Sequence, residues 1–191
     1  MVKTPLADPQ RTGRGLPVFI LVIAVLVAGR AGASFVAGSS LMSGDAAQEI
    51  AAATGGSFPA IRNPITVQEI GMTLPPSGNF EAGVFLNHLR FSDPSYGLFR
   101  MFTMGGSIER LVGGGGLGLR AGFARATGYY AGRNAVTVTE LFIRTPLGVP
   151  GLAAMICLQN LISREGFYRT VRVGVTLHGG RSSSPARARG K

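Results

Sequence analysis

The chain has 191 residues, enough for one ordinary domain with a targeting segment and too few for two full-sized domains. It is 46% hydrophobic, which excludes a wholly disordered protein, and its 29 glycines and 11 prolines disfavour long helices beyond the N-terminal segment. The formal charge is +10, from 19 basic and 9 acidic residues, with arginine at every basic position except Lys3 and Lys191; a guanidinium-lined surface for phosphate or carboxylate and a GC-rich coding bias both produce such a preference.

In chain order, the first fifteen residues carry Lys3, Arg11 and Arg14 against Asp8, and the uncharged run LPVFILVIAVLVAG follows from Leu16 to Gly29. This is the order of a basic n-region and an apolar h-region, with Leu16, Phe19, Ile20, Ile23 and Leu26 as the membrane-targeting side chains. As a helix the run rises about 21 Å, short of a hydrocarbon core of roughly 30 Å, so its length favours a cleaved signal peptide. Ala31 and Ala33 form an A-x-A pattern with cleavage after Ala33. In the competing reading the helix runs on to Gly38, Arg30 snorkels to the interface, and residues 16–38 form a retained anchor. Either way Met1 to Gly15 stay in the cytoplasm by the positive-inside rule, and the body is extracytoplasmic, anchored or released. A lipoprotein would need a cysteine directly after the apolar run, and none stands there.

The stretch SGDAAQEIAAAT, Ser43 to Thr54, predicts one short Ala-rich helix with Asp45 as N-cap and Gly55-Gly56 as stop. From Phe58 the pattern turns to β-prone runs: PITVQEIGM, NFEAGVFLNHLRF and YGLFRMFTM, separated by turn residues. The segment Ser107 to Gly132, with its GGGGLGL centre, suits twisted strands or a mobile loop, with a single helical turn possible over Ser107 to Val112. NAVTVTELFIR, Asn134 to Arg144, is a well-patterned strand. Gly151 to Arg164 reads as a buried helix, because Leu152, Met155, Ile156, Leu158, Leu161 and Ile162 wrap most of a helical surface between Pro150 and Gly166. Phe167 to His178 alternates again, with Val171, Val173, Val175 and Leu177 on one face and Arg172, Gly174 and Thr176 on the other. The tail GGRSSSPARARGK has the composition of a disordered segment.

The expected fold is therefore mainly β, a β-rich α+β extracytoplasmic domain with an N-terminal hydrophobic helix, one short Ala-rich helix and one buried helix near 151–164. The expected organisation is a signal peptide or signal-anchor over 1–38, a short helix and linker over 39–57, a single β-rich domain over 58–178 and a basic tail over 179–191.

Chemical motifs are sparse. Gly116-Leu117-Gly118-Leu119-Arg120-Ala121 matches G-x-G-x-x-A, with Glu140 about twenty residues on, as in a dinucleotide-binding unit; the glycines Gly122, Gly128 and Gly132 argue against the crossover helix such a unit needs. His88 and His178 lack metal-ligand spacing, and Glu69, Glu81, Asp93, Glu109, Glu140 and Glu165 show no catalytic spacing. Cys157, the sole cysteine, excludes an intrachain disulfide and reads as a small core residue. No cofactor, catalytic or metal residue is assigned. Arg181, Arg187, Arg189 and Lys191 are candidate contacts for nucleic acid or anionic lipid, with a solvated terminus as the bland reading.

The leading functional expectation is a non-enzymatic component of a membrane, envelope or virion assembly that packs against protein partners or its own copies. Two alternatives stand beside it. One is a small outer-membrane β-barrel, suited by alternating Gly-rich segments such as GGLGLRAGFARATGYYAGR but opposed by the helix expected near Met155. The other is an exported enzyme with an unrecognised site.

Overall fold

A computed structural model describes residues 33–113 and 115–179. The targeting residues Leu16, Phe19, Ile20, Ile23 and Leu26, the first cleavage-site residue Ala31, and the basic residues Arg181, Arg187, Arg189 and Lys191 lie outside the described residues. Ala33 is described and directly precedes the first strand.

Eight strands run in sequence order: β1 (Ser34–Met42), β2 (Ile65–Thr73), β3 (Phe80–Asp93), β4 (Gly97–Val112), β5 (Gly115–Thr127), β6 (Val136–Pro146), β7 (Leu152–Ser163) and β8 (Gly166–Gly179). One helix, α1 (Ala46–Ala53), interrupts the β1–β2 connection. Each strand pairs antiparallel with the next, and β8 returns to pair with β1 through Phe35↔Gly179 to Met42↔Arg172, so the sheet closes into a barrel.

The alternating pattern of the strands sorts side chains strictly by face. Along β5 burial alternates from Gly116 to Thr127, placing Arg120, Gly122, Ala124 and Ala126 in the lumen and Leu119, Ala121, Phe123 and Arg125 outside. Gly115 to Leu119 are thus strand rather than loop, Gly113 is a turn residue, and Ser107 to Val112 continue β4 rather than forming a helical turn.

Two expectations are corrected here. Residues 152–163 form β7, paired on both sides through Leu141↔Leu158 and Leu158↔Val171, and not a helix. The physical reason is that β7 is apolar on both faces: Met155, Cys157 and Leu161 point into the lumen, Ile156 and Ile162 outward. A strand apolar on both faces reads as a continuous apolar run, which periodicity alone does not separate from a buried helix. Likewise a helical anchor extending to Gly38 is overturned, because Ser34 to Gly38 are β1 residues hydrogen-bonded within the sheet against β2. The barrel wall accordingly starts at Ser34, ahead of the β-rich region expected from Phe58. Among the described residues no helix is long and apolar enough to cross a membrane.

The Ala-rich helix forms where expected. Its C-terminus is closed by Gly55 N–H to Ala52 C=O (2.8 Å) and Gly56 N–H to Ala51 C=O (3.0 Å), with Gly55 at φ 78°, the paired bonds of a Schellman cap. Asp45 occupies the N-cap position without a side-chain capping bond. Ala46, Ala47, Ile50, Ala51 and Ala53 are buried against Met42, Phe58, Ile65, Val67, Leu89, Phe91, Phe99, Met101, Ala124, Val136, Val138 and Leu161. These come from seven different strands and the 43–64 connection, so α1 closes one mouth of the barrel with an apolar layer. Stacked Phe91 and Phe99 (4.5 Å, 8°) and edge-on Phe58 (4.8 Å to Phe91) fill its centre.

Ile50 is fully buried in this layer. Replacing it, as Ile50→Ala, should destabilise the barrel by about 2–5 kcal/mol, measured as a lowered denaturant midpoint of the refolded chain; an unchanged midpoint would show that α1 does not dock.

Candidate functional site

Below the apolar layer the lumen becomes charged. Glu69 from β2, Arg120 from β5, Glu140 from β6 and Arg172 from β8 meet in one buried cluster. Arg120 forks onto Glu69 with two 2.6 Å contacts, Nη1 to Oε2 and Nη2 to Oε1, and approaches Glu140 Oε2 at 3.4 Å. Arg172 Nη2 donates to Glu140 Oε2 at 2.6 Å and to Glu69 Oε2 at 3.4 Å, while its Nη1 reaches Ser40 Oγ at 3.4 Å. Two carboxylates and two guanidiniums thus cancel within one layer.

Neutral groups from β3, β7 and β8 complete the set. Gln159 Nε2 donates to Glu140 Oε1 at 2.7 Å, and Thr170 Oγ1 donates to Gln159 Oε1 at 3.2 Å. The Asn87 amide, oriented with nitrogen toward Glu69, donates to Glu69 Oε2 at 3.2 Å and accepts from Arg172 Nη2 at 3.3 Å. A second cluster lies toward the other mouth. Arg144 on β6 binds Glu109 on β4 through Nε to Oε1 at 2.8 Å and a further Nη2 contact to Oε2. The same guanidinium lies 3.8 Å from Glu81 of β3 and 3.2 Å from His178 Nδ1 of β8.

Phe142 separates the two clusters, and Arg120 stacks over its ring at 4.4 Å. The space for this arrangement comes from the glycine-rich strand β5. A Cβ on Gly118 would lie 2.2 Å from Phe142 Cζ, and one on Gly116 would lie 1.8 Å from Glu109 Oε1. The lumen-facing glycines that resemble a phosphate-binding string are therefore clearance for a phenyl ring and a carboxylate. Because β5 continues as strand through Thr127, no helix N-terminus follows them, and the dinucleotide-binding arrangement is absent.

Burial of this many charges is tolerable only when each is paired and hydrogen-bonded. Each of the four lumen carboxylates lies within 4 Å of a guanidinium, and among the described residues no three potential ligands gather to hold a metal ion. Cys157 is buried in the lumen wall beside Phe142 and Met155, in line with a small core residue. Of the two histidines, His178 joins the second cluster, while His88 sits on the outer wall stacked on Phe102 at 4.5 Å.

The outer wall is the mirror image of the lumen. Leu41, Ile70, Val84, Met104, Ile108, Leu119, Phe123, Leu141, Ile143, Ile156, Val173 and Val175 are all exposed, and they cover all eight strands. Met104 and Phe123 reach 65% and 69% exposure in the middle of long strands, where a water-soluble barrel would place polar residues.

Sequence reasoning named none of the lumen charges as a unit. Their signal was present in the alternation, as Leu119-Arg120-Ala121, Ile143-Arg144 and Val171-Arg172-Val173, once the apolar phase is read as outward.

Glu140→Gln leaves Arg172 and Arg120 sharing one carboxylate in a buried layer, and should destabilise the barrel by about 3–5 kcal/mol in denaturant unfolding. Adding Arg172→Met should recover much of that loss, because the charge layer is balanced again. A double variant no more stable than Glu140→Gln alone would refute the balance. Gly118→Ala should cost about 1–3 kcal/mol by overpacking, relieved in part by Phe142→Leu in the same background, because the new Cβ also meets the Ile108 carbonyl oxygen at 2.8 Å.

No protein-family model matches the chain, and no curated protein matches it in sequence. Among solved structures it is similar to the crystal structure of Neisserial surface protein A, with a TM-score of 0.48 and 12% identity, over 76% of this chain and 96% of that one. A likeness that distant assigns neither family nor activity.

Proposed function

We propose that this chain is a small outer-membrane-type β-barrel that spans a lipid bilayer with its eight strands and acts as a non-enzymatic envelope component. The observation that carries the reading is the inversion of polarity: an unbroken outward apolar belt around a lumen of paired charges. The largest apolar patch on an ordinary soluble monomer covers about 300–600 Å², whereas here the belt encircles the molecule. In hydrocarbon the same belt is the favourable surface, and only a closed barrel or a helix satisfies its backbone there. Membrane barrels alternate apolar-out and polar-in.

Strand lengths support this. About 9–11 tilted residues cross a hydrocarbon core, and the strands here run from 9 residues in β1 and β2 to 16 in β4. Aromatic residues flank the belt: Phe35 and Phe80 near the mouth that holds the start of β1, Phe102, Phe167 and Tyr129 near the α1 mouth. Barrels of this class keep longer loops outside and shorter turns inside. The two longest connections, 43–64 and 128–135, both lie at the α1 mouth, which supports reading that end as the external side. Export fits the basic and apolar N-terminal segment, and cleavage after Ala33 would leave β1 whole, since it begins at Ser34.

The lumen is filled by α1, the apolar layer and the charge clusters, so the barrel is a closed structural or interaction element rather than an open pore. The lead expectation of an envelope assembly component and the barrel alternative meet in this reading, with the barrel now the better supported form.

Two measurements test it. Folded chain in detergent should migrate differently from boiled chain on a gel and resist extraction from outer membranes without detergent; a freely soluble monomer would refute the reading. Val173→Arg, in the middle of the outward face of β8, should cost about 2–4 kcal/mol when unfolding is measured from a bilayer. On the exposed surface of a water-soluble protein the same change would lie within about 0.5 kcal/mol.

A further inference from the structure

The outward wall is apolar through its middle but carries arginines where it meets the α1 mouth. Arg90 and Arg100 are direct partners across β3 and β4, both exposed on the outer face. Arg125 on β5 is the partner of Phe102, two residues from Arg100 on that same face. Like charges placed directly opposite on a sheet repel one another. Among the described residues no ion pair is formed by any of the three. Four of the carboxylates are out of reach of this face: Glu69, Glu81, Glu109 and Glu140 all face the lumen. Asp93 is occupied in the turn after β3, accepting from the backbone N–H groups of Ser95 at 2.8 Å and Tyr96 at 3.3 Å.

Beside the arginine pair the outer surface holds a cleft of about 390 Å³, between the 61–64 segment and the wall, to which Asn63, Thr66, Gln68, His88, Arg90 and Ser92 contribute. All six bring polar side chains. His88 is held flat against Phe102, and its Nε2, buried behind the cleft surface, has no hydrogen-bond partner among the described residues. Below the cleft the face becomes apolar at once, with Phe102 and Met104 exposed on β4. An occupant that satisfies both parts has an anionic head and an apolar tail.

We propose that Arg90, Arg100 and Arg125, with the His88 cleft, bind the phosphate of an anionic lipid headgroup in the leaflet at the α1 mouth. This rests on the reading of the chain as a membrane-spanning barrel. Guanidinium forks match phosphate oxygens, and the bound anion relieves the Arg90–Arg100 repulsion. The opposite rim is different in kind: Arg110, outward on β4, has Phe80 and Leu117 as its sheet partners and no basic neighbour across either strand.

The test places the full chain in bilayers of phosphatidylcholine containing a minority of phosphatidylglycerol. Relative association is read from the motionally restricted fraction of spin-labelled phosphatidylglycerol against spin-labelled phosphatidylcholine. The wild-type chain should prefer phosphatidylglycerol by about fivefold or more, as expected for arginines near an anionic surface. The R90Q/R100Q/R125Q variant should fall to near parity while keeping its heat-modifiable gel shift, and R110Q should keep the wild-type preference. Millimolar inorganic phosphate should not displace the lipid. The proposal is overturned if the triple variant keeps its preference, if R110Q loses as much, or if free phosphate displaces the lipid. A wild-type chain that inserts without preference overturns this proposal alone; one that fails to insert into phosphatidylcholine bilayers overturns the membrane reading with it.

Discussion

The hydrogen bonds between β1 and β8 leave no unpaired edge among the described strands, and the rest of the structure depends on that closure. An open eight-stranded sheet would present two rows of free N–H and C=O groups, costly in any apolar surrounding and a template for aggregation in water. Closure also creates the lumen, a volume walled by strands around its whole circumference. Once it exists, each strand has one residue in two facing a confined interior, and charge placed there has to be matched by opposite charge across the barrel. The Glu69–Arg120 fork joins β2 to β5, and Glu140–Arg172 joins β6 to β8. These contacts run across the lumen rather than along the sheet and in turn discriminate against misregistered pairing, since a one-residue slip of a strand would turn the charge it carries outward and leave its partner buried and unpaired.

The lumen has two regimes with different physics. Near α1 it is an apolar core of the ordinary kind, packed with aromatic rings, Met101, Ile50 and alanines. Further down it is a charged core in which Phe142 and the glycines of β5 set the spacing. The small residues of α1 have a corresponding reason. A helix rich in alanine is slim enough to lie in the mouth of an eight-stranded barrel, where the interior is just wide enough for side chains to fill.

The outer surface is asymmetric along the barrel axis. Its middle is apolar around the whole circumference, and exposed arginines gather at the α1 mouth, where Arg62, Arg133 and Arg164 in the connections accompany Arg90, Arg100, Arg125 and Arg169 on the strands. Among the described residues the arginines thus have a definite spatial expression: three are paired with the lumen glutamates, and seven of the other eight form one rim. A general bias toward arginine explains their number but not that placement.

What the sequence determined by itself is local. The alternation of β8, the strand over Asn134 to Arg144, the Ala-rich helix and its glycine stop are all set by side-chain periodicity and by backbone preferences acting over a few residues, and they appear in the structure as read. Where periodicity fails, reading fails: β7 is apolar on both faces, so Leu152 to Ile162 carry no period that marks them as strand. The decisive matter left to tertiary structure was which phase of the alternation faces inward. Val171, Val173, Val175 and Leu177 define a face, but whether that face meets a protein core or the surroundings depends on what lies across from Arg172, and that is Glu140, distant in sequence and brought near by the pairing of β6, β7 and β8 in the curved wall. Glu69, Arg120, Glu140 and Arg172 show no spacing because their geometry is a property of the barrel's circumference rather than of any single strand.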